Sequence, residues 1–232
     1  SSVAQSNWQY NYIIGNPNAP ELGNSAFNVP HTIRVSAFYT KKWKANRATT
    51  VGLIYTGSSG APYSIYYNYD LNGDGGYNDL IFIPTDAQVD QMKFLANSTY
   101  TAEQQKANMK AWLGSEDYLK DHRGEYFKRY AANEKFEHHF DFHLSHKIDF
   151  LVGKTMRGLE FSFDIVNAGN MFNKKWGRTS SAPGYYSPIS YSTNKATGES
   201  GFQFLQNANY TVHAYDDYYS RWRGQVGVKY TF

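Results

Sequence analysis

Arg221-Trp-Arg-Gly-Gln-Val-Gly-Val-Lys-Tyr-Thr-Phe232 alternates without a break. Successive side chains of a β-strand point to opposite faces. Trp222, Gly224, Val226, Val228, Tyr230 and Phe232 therefore share one face, and Arg221, Arg223, Gln225, Gly227, Lys229 and Thr231 the other. One face is apolar and the other polar. A half-buried strand of a soluble sandwich alternates in the same way, but such strands usually run about 5 to 6 residues. The length of this run and its aromatic ending favour a strand that crosses a membrane.

The same pattern recurs upstream. In 31–43, Ile33, Val35, Ala37, Tyr39 and Trp43 oppose Thr32, Arg34, Ser36, Thr40 and Lys42, with Phe38 as the exception. A short polar turn, Lys44-Ala-Asn-Arg47, leads into 47–57, where Thr49, Val51, Leu53 and Tyr55 alternate with Thr50, Gly52 and Thr56. In 137–151, Phe140, Phe142, Leu144, Ile148 and Phe150 oppose Asp141, His143, Ser145, Lys147 and Asp149, and His146 is the single polar residue on the apolar side. The turn is read as Gly153 to Gly158, and the return strand as 158–170, with Leu159, Phe161, Phe163 and Ile165 against Glu160, Ser162 and Asp164. The closing strand is read as 219–232. Ser1 to Trp8 reads as the end of one further strand.

The connections are unequal. Turns after Trp43 and Val152 are short, whereas 9–30, 58–136 and 171–218 are long, which is the asymmetry of outer-membrane barrels with short periplasmic turns and long extracellular loops. A tilted strand needs about 9 to 11 residues to cross a bilayer, so these strands are long enough. The fold class expected is all-β: antiparallel strands of a large transmembrane β-barrel with long, partly helical extracellular loops. Five strands cannot close such a barrel, whose smallest examples have about 8, so the rest of the wall is expected elsewhere. The absence of an initiator Met and of a secretory signal points the same way, to a C-terminal piece of an exported protein.

Composition is compatible with this reading. No run approaches the about 18 consecutive apolar residues of a membrane helix, and mean hydropathy is −0.64, but polar lumen residues dilute a barrel's apolar face in any average. The 21 Tyr and 15 Phe fit interfacial girdles. Cysteine is absent, so neither disulfides nor thiolate metal sites are available. The net charge of +3 is spread without a block, which argues against a nucleic-acid partner.

Within 58–136 the period-2 signal disappears. Thr101-Ala-Glu-Gln104 is a capping box opening a helix that runs to about Gly114, with a further helical turn after Ser115. Loops beyond about 12 to 15 residues are uncommon in compact domains unless functional or disordered, and this one is too aromatic to be disordered. It is expected to be folded. The composition of 174–205 assigns no fold.

Candidate sites lie mainly in the loops. Asp70, Asn72, Asp74 and Gly75 match positions 1, 3, 5 and 6 of a calcium loop, where alternate oxygens wrap a hard cation. The bidentate Glu of position 12 is replaced by Ile81, and Asp79 at position 10 offers a carboxylate instead; an Asx-rich turn without metal explains the same residues. Ca²⁺ is the only cofactor suggested. Tyr63, Tyr66, Tyr67 and Tyr69, with Tyr185, Tyr186 and Tyr191, form either a substrate-facing aromatic surface or an internally packed cluster. His138, His139, His143 and His146 divide between the two faces of one strand and make no closed zinc set. Asp141, Asp149, Glu160 and Asp164 are carboxylates that alternation already explains, and no enzymatic activity is expected.

Several stretches taken together carry a resemblance: Phe27-Asn-Val-Pro-His31, Gly57-Ser-Ser-Gly-Ala-Pro-Tyr63, Asp70-Leu-Asn-Gly-Asp-Gly75 through Asn78-Asp-Leu-Ile-Phe-Ile-Pro84, Arg123-Gly124 with Arg129, Asp164-Ile-Val-Asn-Ala-Gly-Asn-Met-Phe-Asn-Lys-Lys-Trp-Gly177, and Tyr230-Thr-Phe232. In this order they resemble the C-terminal part of an Oar-like TonB-dependent outer-membrane receptor, a branch related to the SusC-type transporters of Bacteroidota. The resemblance implies a barrel of about 22 strands, a plug inside it, energised nutrient import through TonB, and a surface lipoprotein lid as a partner. It also implies location in the bacterial outer membrane, in contact with its lipid. The N-terminal extension, TonB box, plug and remaining strands of such a receptor have no counterpart in these residues. Val226, Val228, Tyr230 and Phe232 resemble the signal read by the barrel assembly machinery; lipid-facing residues give the same pattern. Two other classes remain open: a soluble extracellular β-sandwich binding module with a calcium-stabilised loop, and a barrel partner in an outer-membrane secretion complex.

Overall fold

A computed structural model of the chain describes residues 11–19, 21–181 and 184–232. The strand end read at Ser1 to Trp8, Pro20 of the first loop and Pro183 of the second lie outside the described residues. In chain order the elements are β1 (Thr32–Trp43), β2 (Arg47–Ser58), β3 (Pro62–Tyr67), α1 (Asp86–Gln91), α2 (Ala102–Ser115), α3 (Asp117–Asp121) and β4 (Ala132–Asn133). They continue with β5 (Glu137–Val152), β6 (Thr155–Val166), α4 (Ala168–Phe172), β7 (Thr179–Ser180), β8 (Tyr185–Thr193), β9 (Ser200–Phe204), β10 (Tyr215–Asp216) and β11 (Arg223–Thr231). Strand makes up 42% and helix 14%, so the chain is mostly β-sheet, and the described residues form no closed barrel.

The elements fall into two compact units. The first to consider, the sheet unit, comprises Val29–Gly60, Lys135–Ser181 and Tyr215–Phe232. Its five-stranded sheet has the order β1-β2-β5-β6-β11, antiparallel throughout. Neighbours in this order are also consecutive along the chain once the long excursions are set aside. β1 to β2 and β5 to β6 turn within two or three residues, whereas β2 to β5 and β6 to β11 leave and return at the opposite end. β1 and β11 are the edges.

Three boundaries differ from those read in the sequence. The hairpin between β5 and β6 turns on Gly153-Lys154 alone, because Gly153 takes φ +64 and Val152 already pairs with Thr155. Gly158 is a strand residue whose missing Cβ leaves room for the Asp149 carboxylate, 2.8 Å from where that carbon would stand. The return strand ends at Val166, not at 170, because Asn167 adopts a left-handed conformation (φ 57) and starts α4. The last strand begins at Arg223; Tyr218 and Tyr219 instead sit in a turn whose amides are held by Asp216 Oδ1.

The other unit gathers Ser1–Asn28, Ala61–Glu134 and Ala182–Ala214, so the long connections form one folded body. β3 pairs in parallel with β8 and antiparallel with β4, and β8 pairs with β9, giving the order β4-β3-β8-β9. Thr101 and Gln104 cap α2 reciprocally, as read from the sequence. α1 is capped identically by Thr85 and Gln88; the sequence reading passed over this helix although Thr85-Asp-Ala-Gln88 repeats the same motif. The apolar side of α2, with Met109, Trp112 and Leu113, packs on Ile65, Leu119, Phe127 and Phe204. Trp112 stacks on Phe204 at 5.3 Å. Gln105, fully buried, donates to the Leu95 carbonyl at 2.7 Å and accepts from the Phe204 amide at 3.0 Å, joining α2 to β9 without an unsatisfied amide.

Candidate functional site

The pairing register carries the alternation of single strands across the whole sheet. Tyr39, Val51, Leu144, Phe163 and Val226 stand in one row, and Ala37, Leu53, Phe142 and Ile165 in the next. On the reverse face the corresponding rows are Phe38, Gly52, His143, Asp164 and Gln225, and Lys42, Ala48, Lys147, Glu160 and Lys229. A one-residue slip in any pair would mix the faces; none occurs.

The apolar face is uncovered over most of its area. Leu53 is 50% exposed, Phe161 45% and Val226 75%. Among the described residues, every buried apolar side chain belongs to the other unit. Fully removing a large apolar side chain from water is worth about 1.5–3 kcal/mol, and the sheet unit forgoes this at many positions at once. At about 3.3 Å per residue the 12 residues of β1 extend roughly 40 Å, enough to span the hydrocarbon core of about 30 Å when tilted.

Each departure from strict alternation has a local partner. Phe38, on the polar face, lies over Gly52, where a Cβ would be 2.4 Å from its ring, and edges onto His143. His146, on the apolar face, is joined to Thr49 Oγ1 at 2.9 Å, which also accepts from Trp43 Nε1 at 2.9 Å. This polar string lies toward the short-turn end. The remaining carboxylates are engaged singly: Asp164 with His143 at 2.6 Å, Asp149 with Lys147 at 3.0 Å, and Asp141 with the Asn167 amide at 2.8 Å; Glu160 stands opposite Lys147 and Lys229. Val226, Val228, Tyr230 and Phe232 all present to the bare face, and the Tyr230 hydroxyl accepts from Arg157 at 2.7 Å.

At the long-connection end, Asn167 ties three segments. Its Nδ2 donates to the carbonyls of Gly177 at 2.7 Å and Ser220 at 2.9 Å, while its own amide meets Asp141. Gly177 has φ +59, and a Cβ there would stand 1.7 Å from Asn167 Oδ1, so no other residue fits. The Ser220 hydroxyl accepts from the Thr179 amide, next to the β7-β10 pair.

In the loop unit the predicted tyrosines separate. Tyr63 and Tyr67 are 2% and 5% exposed and belong to the core, so of the two readings open for them the internally packed one holds: β3 lies between β4 and β8 in its sheet, and both rings belong to the buried cluster. Tyr186, half-buried, donates to Glu134 at 2.6 Å. Tyr66 and Tyr185 meet each other and Tyr12 in a cluster with centroid distances of 5.2–6.0 Å, and Tyr69 meets Tyr191 at 5.4 Å. Tyr69 and Tyr185 remain exposed.

Asp70, Asn72, Asp74 and Asp79 are brought together. Asp70 accepts from the amides of Gly73, Asp74 and Gly75, and Asp74 Oδ1 from that of Gly76. Asp79 Oδ2 accepts from Leu71 and Asn72. Gly15 O, Asp74 Oδ2 and Asp79 Oδ1 all converge within 2.7–3.0 Å on Asn72 Nδ2, which has two hydrogens to give. Burial raises the Asp79 pKa against the pull of the two amides, with Asp74 and Asp70 adding to the rise. The oxygen-only donor set fits the chemistry of Ca²⁺, but among the described residues no group of three or more His, Cys, Asp or Glu is spaced to hold an ion.

One constellation has no signal in the sequence. His213 lies between two buried carboxylates, with Nε2 3.0 Å from Glu116 and Nδ1 in contact with Glu134. Its residues come from three separate stretches with no spacing motif. Hydrogen bonds to Glu116 and then Glu134, against the cost of burial, push its pKa up to about 9. Burial pulls Glu116 upward, but bonds from His213, Thr211 and the Val212 amide outweigh it and hold the carboxyl below its usual range.

Compared with known proteins, the chain matches no family model, no curated protein and no solved structure.

Proposed function

We propose that the sheet unit is a section of the wall of an outer-membrane β-barrel, and that the protein is a TonB-dependent transporter carrying a nutrient such as a peptide or glycan into the periplasm. The observation that supports this most is the sheet whose apolar face, among the described residues, is left bare over most of its area. In water such a face is a liability; against lipid it is the required surface. The edges of β1 and β11, unpaired among the described residues, extend the reading. Each unpaired backbone group in hydrocarbon costs several kcal/mol, so both edges require neighbouring strands, supplied in this proposal by the rest of the same receptor. That remainder would also hold the plug and the contact with TonB. A surface lipoprotein would serve as lid, and the barrel assembly machinery would read Val226, Val228, Tyr230 and Phe232.

The order of strands and connections is consistent with short periplasmic turns and long extracellular excursions. The loop unit is then the part that meets the nutrient, through its exposed aromatics, with Ca²⁺ at Asp70, Asn72, Asp74 and Asp79 stiffening the loop. A β-sandwich module would need a second sheet over Phe140, Phe161 and Val226, and among the described residues no second sheet lies over them, Phe161 and Val226 remaining exposed.

The test is cellular. Deleting the gene is expected to abolish energy-dependent uptake of one nutrient class, and the intact protein is expected in the outer-membrane fraction at a mass well above 26.5 kDa. Recovery as a soluble extracellular species of that mass, with uptake unchanged, would contradict the proposal.

A further inference from the structure

Two clefts lie side by side at the long-connection end of the sheet unit, and Met171 lines both. The first, of about 480 Å³, runs between the apolar face and α4. Leu53, Phe140 and Ile165 form its floor on the sheet, and Met171, Phe172 and Trp176 its outer wall. None of its lining residues is charged or carries a hydroxyl or amide side chain. The second, of about 770 Å³, is lined by Lys174, Arg178 and Arg221, together with Asp217, Tyr215 and Trp222. Three cations therefore face one carboxylate. Among the described residues none of the three cations forms an ion pair with an acidic side chain.

The scaffold beneath these side chains is fixed. Asn167 holds Gly177 and Ser220, Asn170 holds the carbonyls of Lys174 and Trp176, and the Arg178 guanidinium stacks 4.8 Å over Tyr215 while its Nε donates to the Lys174 carbonyl. Arg178 is thus partly desolvated, with donors of its guanidinium left over. Guanidinium and ammonium groups held together bind phosphate oxygens well. A purely apolar cleft opening on a lipid-facing surface takes a hydrocarbon chain, and sites of this kind span about 300–1,000 Å³.

We propose that these adjoining clefts bind one anionic membrane lipid, an acyl chain lying between α4 and the sheet and a phosphate group held by Lys174, Arg178 and Arg221. The inference rests on the reading of the sheet as a membrane wall, which makes the apolar cleft face hydrocarbon and puts the cationic cleft at head-group level. Electrostatic complementarity selects the ligand. A zwitterionic lipid would fill the apolar part equally but would gain less from three cations, each worth about as much as one Lys or Arg near an anionic surface.

The protein, purified in a zwitterionic detergent, is placed in bilayers of phosphatidylcholine with and without a phosphorylated acylated glucosamine lipid, and retained lipid is identified by native mass spectrometry. Insertion is followed separately, by protease protection and heat-modifiable migration. The expected result is preferential retention of the phosphorylated lipid. Lys174→Glu with Arg178→Glu is expected to weaken that retention by about tenfold or more with insertion unchanged, and Gly169→Leu, which narrows the apolar cleft beside Trp176 and Phe140, to weaken retention of both lipids. Normal insertion with equal retention of both lipids, with retention insensitive to these substitutions, or with a protein bound there in place of lipid would overturn the inference while leaving the wall reading intact. Failure to insert would overturn both.

Discussion

The two units treat apolar side chains in opposite ways. In the loop unit Trp112, Phe127, Phe204, Ile65 and Leu119 are wholly removed from solvent, and even the polar residues among them, Gln105 and Glu116, are bonded. In the sheet unit side chains of the same kinds stand in register on a face left uncovered over most of its area. Composition does not separate the units, since both are rich in Tyr and Phe. Period separates them: strict alternation over long strands produces a surface, whereas helical runs and short strands produce an interior. The loop unit supplies its own apolar environment, and the sheet unit requires one from outside.

The largest effect is expected where the loop unit is most closed. Trp112→Ala should cost about 3–5 kcal/mol through lost burial and the cavity left beside Phe204, read as loss of protease resistance between residues 61 and 134. The strands of the sheet unit should be unaffected, which heat-modifiable migration checks. A loss of both together would mean that the units do not fold separately.

Next in size is a charge scan of two adjacent residues. Leu53 stands on the bare face beside Phe142, and Ile54 on the other face beside Asp141. Leu53→Arg should cost about 2–4 kcal/mol for folding into a bilayer, and Ile54→Arg well under 1 kcal/mol, because only the first puts a cation in hydrocarbon. Both are aliphatic, so only register distinguishes them. Equal costs would remove the two-faced description.

A smaller, pH-dependent effect belongs to the loop unit alone. His213 has an ordinary pKa near 6.5 and one of about 9 when folded. A group whose pKa is raised on folding contributes its stabilisation in full below its unfolded value and loses it as pH rises through the folded value. The contribution of His213 to the loop unit should therefore be constant up to about pH 6.5 and weaken progressively toward pH 9 and above, and His213→Gln should flatten this part of the dependence. Hydrogen exchange at Val212 and neighbouring amides reports it.

The smallest effect is expected at the acidic loop. Asp70→Ala with Asp74→Ala removes acceptors for four backbone amides and should loosen the loop by about 1–2 kcal/mol, seen as faster cleavage between Gly60 and Lys135. If Ca²⁺ binds, chelator should produce part of the same effect in the unaltered protein, and proteolysis unchanged by both treatments would exclude the metal reading.

How legible these units were follows from the range of the signals. The strands of the sheet unit could be read from single stretches because alternation is local, and even its exceptions, Phe38 and His146, were visible as exceptions. Their partners, Gly52 and Thr49, were not, since cross-strand register appears only after pairing. The helix at Thr101 was legible from a cap four residues long, and the helix at Thr85 carried the same cap. The parallel pairing of β3 with β8 was not legible, because it joins stretches more than a hundred residues apart. Somewhat shorter separations, each under a hundred residues, hid the His213 contacts with Glu116 and Glu134. Tyr63 and Tyr67 looked like their exposed neighbours Tyr69 and Tyr185 until burial separated them.

The central claim is that the face carrying Val226 meets lipid and the face carrying Gln225 does not. The chain has no cysteine, so single cysteines at successive positions of β11 and β2 report without background. With the protein in bilayers containing a quenching brominated lipid, a fluorophore at positions 224, 226, 228, 51 and 53 should be strongly quenched, and one at 225, 227, 229, 50 and 54 weakly, in alternation along each strand. Uniform quenching, or protection of both faces, would contradict the account.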